Sequence, residues 1–355
     1  MESQESKFRI EYPEGDELLG RISAIFAKNG GSKEIDHLRW QYVDNYGGGA
    51  YSAFAVSETG DDAAVYSLFK VRARFEGKEV VACQSLDTLT DKDYRGKGLF
   101  SILAASVNER CDAEDVSFIY GFPNDKSGPG FFKKLQWESL GFPPFMLRVN
   151  NIGYLLKRLM GWNVRVPSIV SQSLQYILNF SRKKIGNYEV REGSGFISDY
   201  DAIWTSFSKG VENTVIRDAG YLRWRYLSRP GSEYQYISIY RGDQLCATTI
   251  YALRDKHDGR VGYIMDVVFS SGHERAGSLA VGEALRALCS SDVDIILAWA
   301  PKCSKTRGSY LANLFFSLPR KLQPIKLFVG MRRCPPSGRL DGHELFLSYA
   351  DSDTV

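Results

Sequence analysis

The sequence predicts an α/β (α+β) protein made of two similar units in tandem, each a mixed, mostly antiparallel sheet flanked by helices. Three observations carry that prediction. The chain has 355 residues, against roughly 100–200 per domain, so two domains with their own cores are the default. Leu38-Arg39-Trp40-Gln41-Tyr42 recurs as Leu222-Arg223-Trp224-Arg225-Tyr226, and further segments recur in the same order behind it. In each copy, hairpin-connected strands lead into a strand–helix–strand passage. The hairpins make antiparallel neighbours and the crossover makes parallel ones.

Taken in order, residues 50–58 and the long run 64–90 alternate as half-buried strands do, with turns at 61–63 and 76–78. After Gly98, the spacing puts Leu99, Ile102, Leu103 and Val107 on one helical face, and VSFIYGF (116–122) follows as a strand. The second copy offers strands at 234–242, 245–269 and 293–300, and Asp266 ends its long run as Asp87 ends the first. Between the copies, 151–185 reads as a linker whose LLKRLMG and SIVSQSLQYILNF are short amphipathic helices. The expected domains are therefore 1–150 and 186–355. The tail SYADSDTV (348–355) is acidic and is expected to fray.

With 44% hydrophobic and 25% charged residues, the composition excludes disorder and collagen-like repeats. A net charge of +3 is too small to imply a nucleic-acid binder. No apolar run approaches the ~18 residues of a membrane span. The start MESQESKFRI has no apolar signal core, so a cytoplasmic location is expected. Six scattered cysteines without a Cys-x-x-Cys pair read as reduced packing thiols, and four dispersed histidines suggest no metal centre or triad.

The most informative stretch runs from Asp87 to Phe100. Its β-rich run enters a tight turn, Arg95-Gly96-Lys97-Gly98, that opens onto a helix. Glycines let the backbone approach a ligand closely, and the first helical N–H groups lack intrahelical partners. With the helix dipole they make an anion site suited to a pyrophosphate. The turn matches neither the P-loop nor the dinucleotide fingerprint.

In this context the chain resembles the GNAT acetyltransferase superfamily, whose acyl-CoA loop reads Gln/Arg-x-x-Gly-x-Gly/Ala between the fourth strand and the next helix. YRGKGLF (94–100), GFPN (121–124) and FFKKLQW (131–137) carry the resemblance. The duplicated arrangement is similar to tandem GNAT proteins associated with bacterial surface-polysaccharide biosynthesis. The resemblance implies acetyl-CoA as cosubstrate. It places Leu89, Thr90 and the backbone of Arg95, Gly96, Lys97, Gly98, Leu99 and Phe100 along the acyl-CoA path, and Asn124 beside the pantetheine arm. Two departures matter. Asp93 stands where the loop's leading Gln/Arg belongs, and Phe132 stands at the tyrosine position near the thiolate, where it cannot protonate sulfur. In the second copy, Ser270–Ala280 lacks the paired glycines and His273-Glu274 sets a carboxylate where phosphate would sit. That copy is expected to wall the acceptor cleft and not to bind CoA.

The implied reaction is direct acetyl transfer to a small amine in a ternary complex. A backbone N–H near Leu89 or Thr90 would hold the oxyanion. Asp87 is either the general base or an orienter of a neighbouring loop, and Asp266 either contacts the acceptor or is structural. Tyr94 and Tyr120 are either proton donors or packing aromatics. No cysteine has the neighbouring histidine that a covalent acyl-enzyme needs. Acceptors consistent with the reading are an amino sugar on a nucleotide carrier, an aminoglycoside, a polyamine or an amino acid. From a different class comes a module that binds acyl-CoA or a partner protein without turnover. Trp40 and Trp224, with their neighbouring tyrosines, are expected to anchor a helix on each sheet, with a substrate-stacking platform as the alternative. Residues 148–191 hold eight basic side chains against Glu189 alone, which suits a solvated linker face, a membrane contact or a substrate phosphate.

Overall fold

A computed structural model describes residues 8–160, 187–336 and 344–352. The first copy runs β1 (Phe8–Glu11), α1 (Gly15–Lys28), α2 (Ile35–Tyr42), β2 (Ala50–Ser57), β3 (Asp62–Phe75), β4 (Lys78–Thr90), α3 (Leu99–Ala113), β5 (Val116–Gly121), α4 (Gly128–Lys134), β6 (Glu138–Ser139) and β7 (Phe145–Val149), then α5 (Ile152–Met160). The second runs β8 (Glu189–Glu192), α6 (Tyr200–Ser208), β9 (Thr214–Val215), α7 (Ala219–Leu222), β10 (Gln235–Arg241), β11 (Gln244–Lys256), β12 (Gly259–Phe269), α8 (Glu274–Cys289), β13 (Ile295–Trp299), α9 (Arg307–Leu311), β14 (Phe316–Ser317) and β15 (Gly330–Arg333). With α5 and β9 set aside, the two orders are the same.

Local chemistry explains much of this repetition. The hairpins β3–β4 and β11–β12 each close on two residues with positive φ, Glu76-Gly77 (52° and 77°) and His257-Asp258 (59° and 61°). Such turns match the right-handed twist of the strands they join. Crossovers through α3 and α8 make β4/β5 and β12/β13 the parallel pairs. Along α3, Leu99, Leu103 and Val107 are buried as expected, but Ile102 is exposed. The buried rows are completed by Ala104, Asn108 and Cys111, which turns the inward face away from Ile102.

The sheets do not follow the expected division of the chain. The last strand of each copy crosses over: β7 pairs antiparallel with β13, and β15 pairs antiparallel with β5. The orders are β1-β2-β3-β4-β5-β15-β6 and β14-β7-β13-β12-β11-β10-β8. A boundary at residue 150 thus leaves β7 in the first segment and in the second sheet. The exchange pairs the free edges of β5 and β13, which would otherwise be open templates for aggregation.

The tryptophans of the repeated pentapeptide correct the expectation that each serves its own sheet. Their rings stack on one another at 4.8 Å and 11°. Trp40 Nε1 donates to the Trp224 carbonyl at 2.7 Å and Trp224 Nε1 donates to the Trp40 carbonyl at 2.9 Å. Each copy offers the other the same contact, which is the signature of a local two-fold relation.

The tail is a second correction. Residues 345–352 are buried, not frayed. Tyr221 Oη and Arg225 Nε donate to the Ala350 carbonyl, both at 3.0 Å, and Arg225 Nη2 donates to that of Ser352 at 2.7 Å. From the first copy, Gln84 Nε2 donates to the Asp351 carbonyl at 2.8 Å. Arg217, fully buried, pairs with Asp351 at 2.5 Å and with Asp266 at 3.3 Å. Acidity marked this segment as exposed, whereas buried arginines hold it inside. Residues 353–355 lie outside the described residues, as does most of the linker at 161–186. Of its basic face, Arg148 is buried in β7 and its Nη1 reaches the Asn313 carbonyl at 3.4 Å. All four described buried cysteines and the two others, Cys289 and Cys303, are free thiols.

Two predictions follow from this packing. Trp40→Ala and Trp224→Ala should each lower the unfolding free energy by roughly 3–5 kcal/mol. The double variant should cost less than their sum by about 1 kcal/mol or more, read by urea denaturation. Burial, opposed by Arg217, pushes the Asp266 carboxyl up to about 6. Folding therefore favours its protonated form, and that stabilisation is full below about pH 4 and lost as pH rises through 6. The stability of wild type relative to Asp266→Asn should fall by about 2 kcal/mol between pH 4 and pH 8.

Candidate acyl-CoA site

The site begins where β4 outruns its neighbour. β4 pairs with β5 from Val81 to Ser85 only, because β5 ends at Gly121. Leu86–Thr90 continue without a strand on that side. A bulge lies at the point of divergence: Leu86 and Asp87 together oppose the single Ser67 of β3. The extra residue bends β4 and increases its twist, which opens the wedge toward the loop after β5.

The strand then enters a turn built for exposed amides. Lys28 Nζ pairs with Asp91 at 2.8 Å and holds its carboxyl below the usual range, while Asp91 Oδ1 accepts from the Asp93 amide at 3.0 Å. Gly96 and Gly98 have φ of 80° and 76°, and a Cβ at either would meet nothing within 4 Å. Their requirement is conformational, since that region strains other residues. Gly98 is the N-cap of α3. Among the described residues, the amides from Gly96 to Phe100 donate to no protein acceptor. Five amides without a protein acceptor thus stand in sequence at the positive end of a 15-residue helix, an arrangement suited to a diphosphate. Arg95 is exposed, and Lys97 Nζ lies over the rings of Tyr94 and Phe8, at 4.9 and 5.4 Å. Thr88 Oγ1, buried on the unpaired stretch, has no hydrogen-bond partner. The open edge, the free amides and this orphaned hydroxyl fit an extended cofactor ending in phosphates.

The other expected residues fall into separate neighbourhoods. Leu89 and Thr90 lie on the unpaired stretch, opposite Val65 and Ala64 of β3. Leu99 is buried, and Phe100 packs edge-on against Phe131 at 5.1 Å and Tyr66 at 6.0 Å. Asn124 Oδ1 accepts from the Lys126 and Ser127 amides, at 2.9 and 3.0 Å, so its acceptor oxygen shapes the approach to α4 and only its Nδ2 is left to face a ligand. Phe132 packs against Phe328 at 5.5 Å. Tyr94 donates to Asp61 at 3.3 Å, beyond the end of β4 and on the hairpin side of the turn. Tyr120 is fully buried, donates to Gln84 Oε1 at 3.0 Å, and has its phenol pKa pushed well up by burial and then by Asp351. The structure does not bring Tyr94 and Tyr120 together.

Asp87 sits on the face of β4 turned toward α2 and is nearly buried. Lys33 Nζ lies 2.7 Å from Oδ1, and Tyr42 Oη donates to Oδ2 at 2.7 Å. Lys33, Tyr42 and Gln84 were not among the expected site residues. Tyr42 belongs to the repeated pentapeptide, which signalled packing or stacking and not a carboxylate partner, and Lys33 sits in a loop with no motif. A small cavity between the copies is lined by Trp40, Gln84, Leu86, Tyr120, Arg225 and Asp351.

The equivalent turn of the second copy has its own amides occupied. Gly272 N donates to Glu274 Oε1 at 3.2 Å, Ser271 N to Ser206 Oγ at 3.0 Å, and His273 N to the Ser270 carbonyl at 2.9 Å. A carboxylate, a hydroxyl and a carbonyl of the protein thus take three amides of this turn.

Residues 23–140 match the family model of the acetyltransferase (GNAT) domain, and this span contains the open wedge and the turn. Over this third of the chain the sequence is similar to GNAT acetyltransferase domains. GNAT acetyltransferases use acyl-CoA, which is the ligand class the free edge and amides suit. No curated protein matches the chain by sequence. Solved structures extend the likeness in fold beyond the matched GNAT span to nearly the whole chain. A probable N-acyltransferase from Enterococcus faecalis is 11% identical with a TM-score of 0.62, covering 92% of this chain and 72% of that one. A GCN5-related N-acetyltransferase from Anabaena variabilis is 12% identical with a TM-score of 0.60, covering 91% and 72%. Saccharomyces cerevisiae N-myristoyltransferase, solved with bound myristoyl-CoA, is 11% identical with a TM-score of 0.59, covering 92% and 79%.

Proposed function

We propose that the protein is an N-acetyltransferase that moves an acetyl group from acetyl-CoA directly to the amine of a small acceptor. The first copy holds the cofactor, and the second, degenerate copy walls the acceptor side. The observation that carries the reading is the continuity of the unpaired β4 edge, Leu86–Thr90, with the unoccupied amides of Gly96–Phe100. Acetyl-CoA, when bound, supplies an activated thioester. The N–H groups on the free β4 edge near Leu89 and Thr90 are the donors for the developing oxyanion. Asp87 takes the proton of the acceptor ammonium, which competes for the carboxylate with the Lys33 ammonium. Tyr120, held neutral by its burial, is the proton donor on the inner face once its hydroxyl turns from Gln84 Oε1 to the leaving thiolate. Tyr94 supports the diphosphate turn.

The matching element orders and the Trp40–Trp224 pair support a tandem duplication of one GNAT-like unit, with 1–150 and 186–355 as its products and 151–185 as their linker. The resemblance to surface-polysaccharide proteins favours an amino sugar on a nucleotide carrier as the acceptor and the cytoplasm as the place of action.

Saturation with acetyl-CoA at a hundred times its dissociation constant should add about 2.7 kcal/mol of stability, seen as a rise in Tm. Gly96→Asp should abolish the shift, because a carboxylate enters the phosphate cradle. An absent shift in wild type, or one kept in the variant, defeats the assignment of this site. Asp87→Asn should leave the shift intact and lower kcat roughly 10²- to 10⁴-fold. A shift with no CoA release against amino sugars, aminoglycosides and polyamines would instead identify a module that binds without turnover.

A further inference from the structure

The outer edge of the second sheet carries an apolar surface that its twin in the first sheet lacks. Leu311, Leu314, Phe316 and Leu322 are exposed by 49%, 53%, 47% and 47%, all within twelve residues of chain. Phe142 joins them at 42%, with the Arg320 guanidinium 4.0 Å above its ring. Scattered exposed leucines need no explanation, but four large apolar side chains exposed within twelve residues at one sheet edge point to an interaction site.

The two copies supply an internal control. Each short helix, α4 and α9, is followed by one residue with positive φ and then by an edge strand. In the first copy these positions are Gln136 (φ 58°) and Glu138, and in the second they are Leu314 (φ 63°) and Phe316. The exposed helix position before them is Lys133 in one copy and Leu311 in the other. One backbone therefore accepts polar residues at all three places, so folding does not require the apolar set. A leucine in the left-handed region is also disfavoured relative to the glycine or asparagine usual there.

Charge identifies the occupant. Residues 295–340 hold nine basic side chains and no acidic one. Of these, Lys302, Lys305, Lys321 and Lys326 are exposed, and Arg320 is ion-paired with Asp125. A two-fold contact between copies of the chain would set this basic stretch against itself. Exposed apolar side chains interspersed with lysines along one stretch instead suit a protein that rests on a negatively charged lipid surface. We propose that the edge from Leu311 to Lys326 docks the protein on an anionic phospholipid bilayer. No helix among the described residues is long and apolar enough to cross a membrane, and side chains of this size reach only the headgroup boundary.

The test is co-sedimentation of the full chain with vesicles of phosphatidylcholine alone, or of phosphatidylcholine and phosphatidylglycerol in equal parts. Binding is expected to the anionic vesicles only, to weaken with added salt, and to fall roughly tenfold or more in Leu314→Glu/Phe316→Glu. Both sites are exposed, and a wild-type Tm in the variant confirms that it folds. Lys321→Glu/Lys326→Glu should weaken binding too. The proposal is overturned by absence of vesicle binding, by equal binding to neutral vesicles, or by unchanged binding of the first variant. It is overturned equally if light scattering without lipid shows self-association that this variant abolishes. No step uses acyl-CoA, so the outcome is independent of the proposed transfer.

Discussion

The reciprocal stack of Trp40 on Trp224 is the contact on which the remaining architecture depends. It fixes the copies about a local two-fold relation, and that relation is what brings the ends of β5 and β13 close enough to exchange strands. Phe122 and Phe145 both pack against Trp299, at 5.3 and 5.5 Å, where the crossing segments meet. The GNAT match at 23–140 therefore describes a unit that is incomplete by itself. Its β5 needs β15 from the far end of the chain, and its Gln84 needs the Asp351 carbonyl.

What could be read from the sequence was local. The strand runs at 50–58 and 64–90 were legible, although β2 and the first half of β3 are buried on both faces and not half-buried as expected. The pairing of Leu99 with Leu103 and Val107 gave the inward row of α3, and Gly96 and Gly98 marked a turn that demands positive φ. These depend on near neighbours in the chain. The strand exchange rests on five- and four-residue segments, β7 and β15, whose partners lie some 150 and 210 residues away in sequence. The tail misled because composition speaks of solvent preference, whereas Arg217 and Arg225 supply a buried counter-charge and carbonyl donors that only the fold assembles. Lys33 beside Asp87 was invisible for the same reason. The recurring pentapeptide announced a repeat but not that its two copies would touch.

The copies also show how one backbone can be assigned different work by a few side chains. Both turns follow the second strand of a long hairpin, β4 or β12, and open a long helix, and both of those strands carry a bulge. Gly-x-Gly leaves the first set of amides to solvent. Glu274 and Ser206 satisfy the second from within. The difference lies in who supplies the acceptor, not in the path of the chain.

The interlocked ends have a consequence for biosynthesis. A ribosome delivers the amino-terminal sheet long before β15, and the buried arginines of the second copy before Asp351. The first sheet must then wait with an open β5 edge until residues 330–333 have emerged, and Arg217 with no carboxylate but Asp266 until Asp351 has followed. Nascent chains halted between β5 and β15 would present that edge to chaperones.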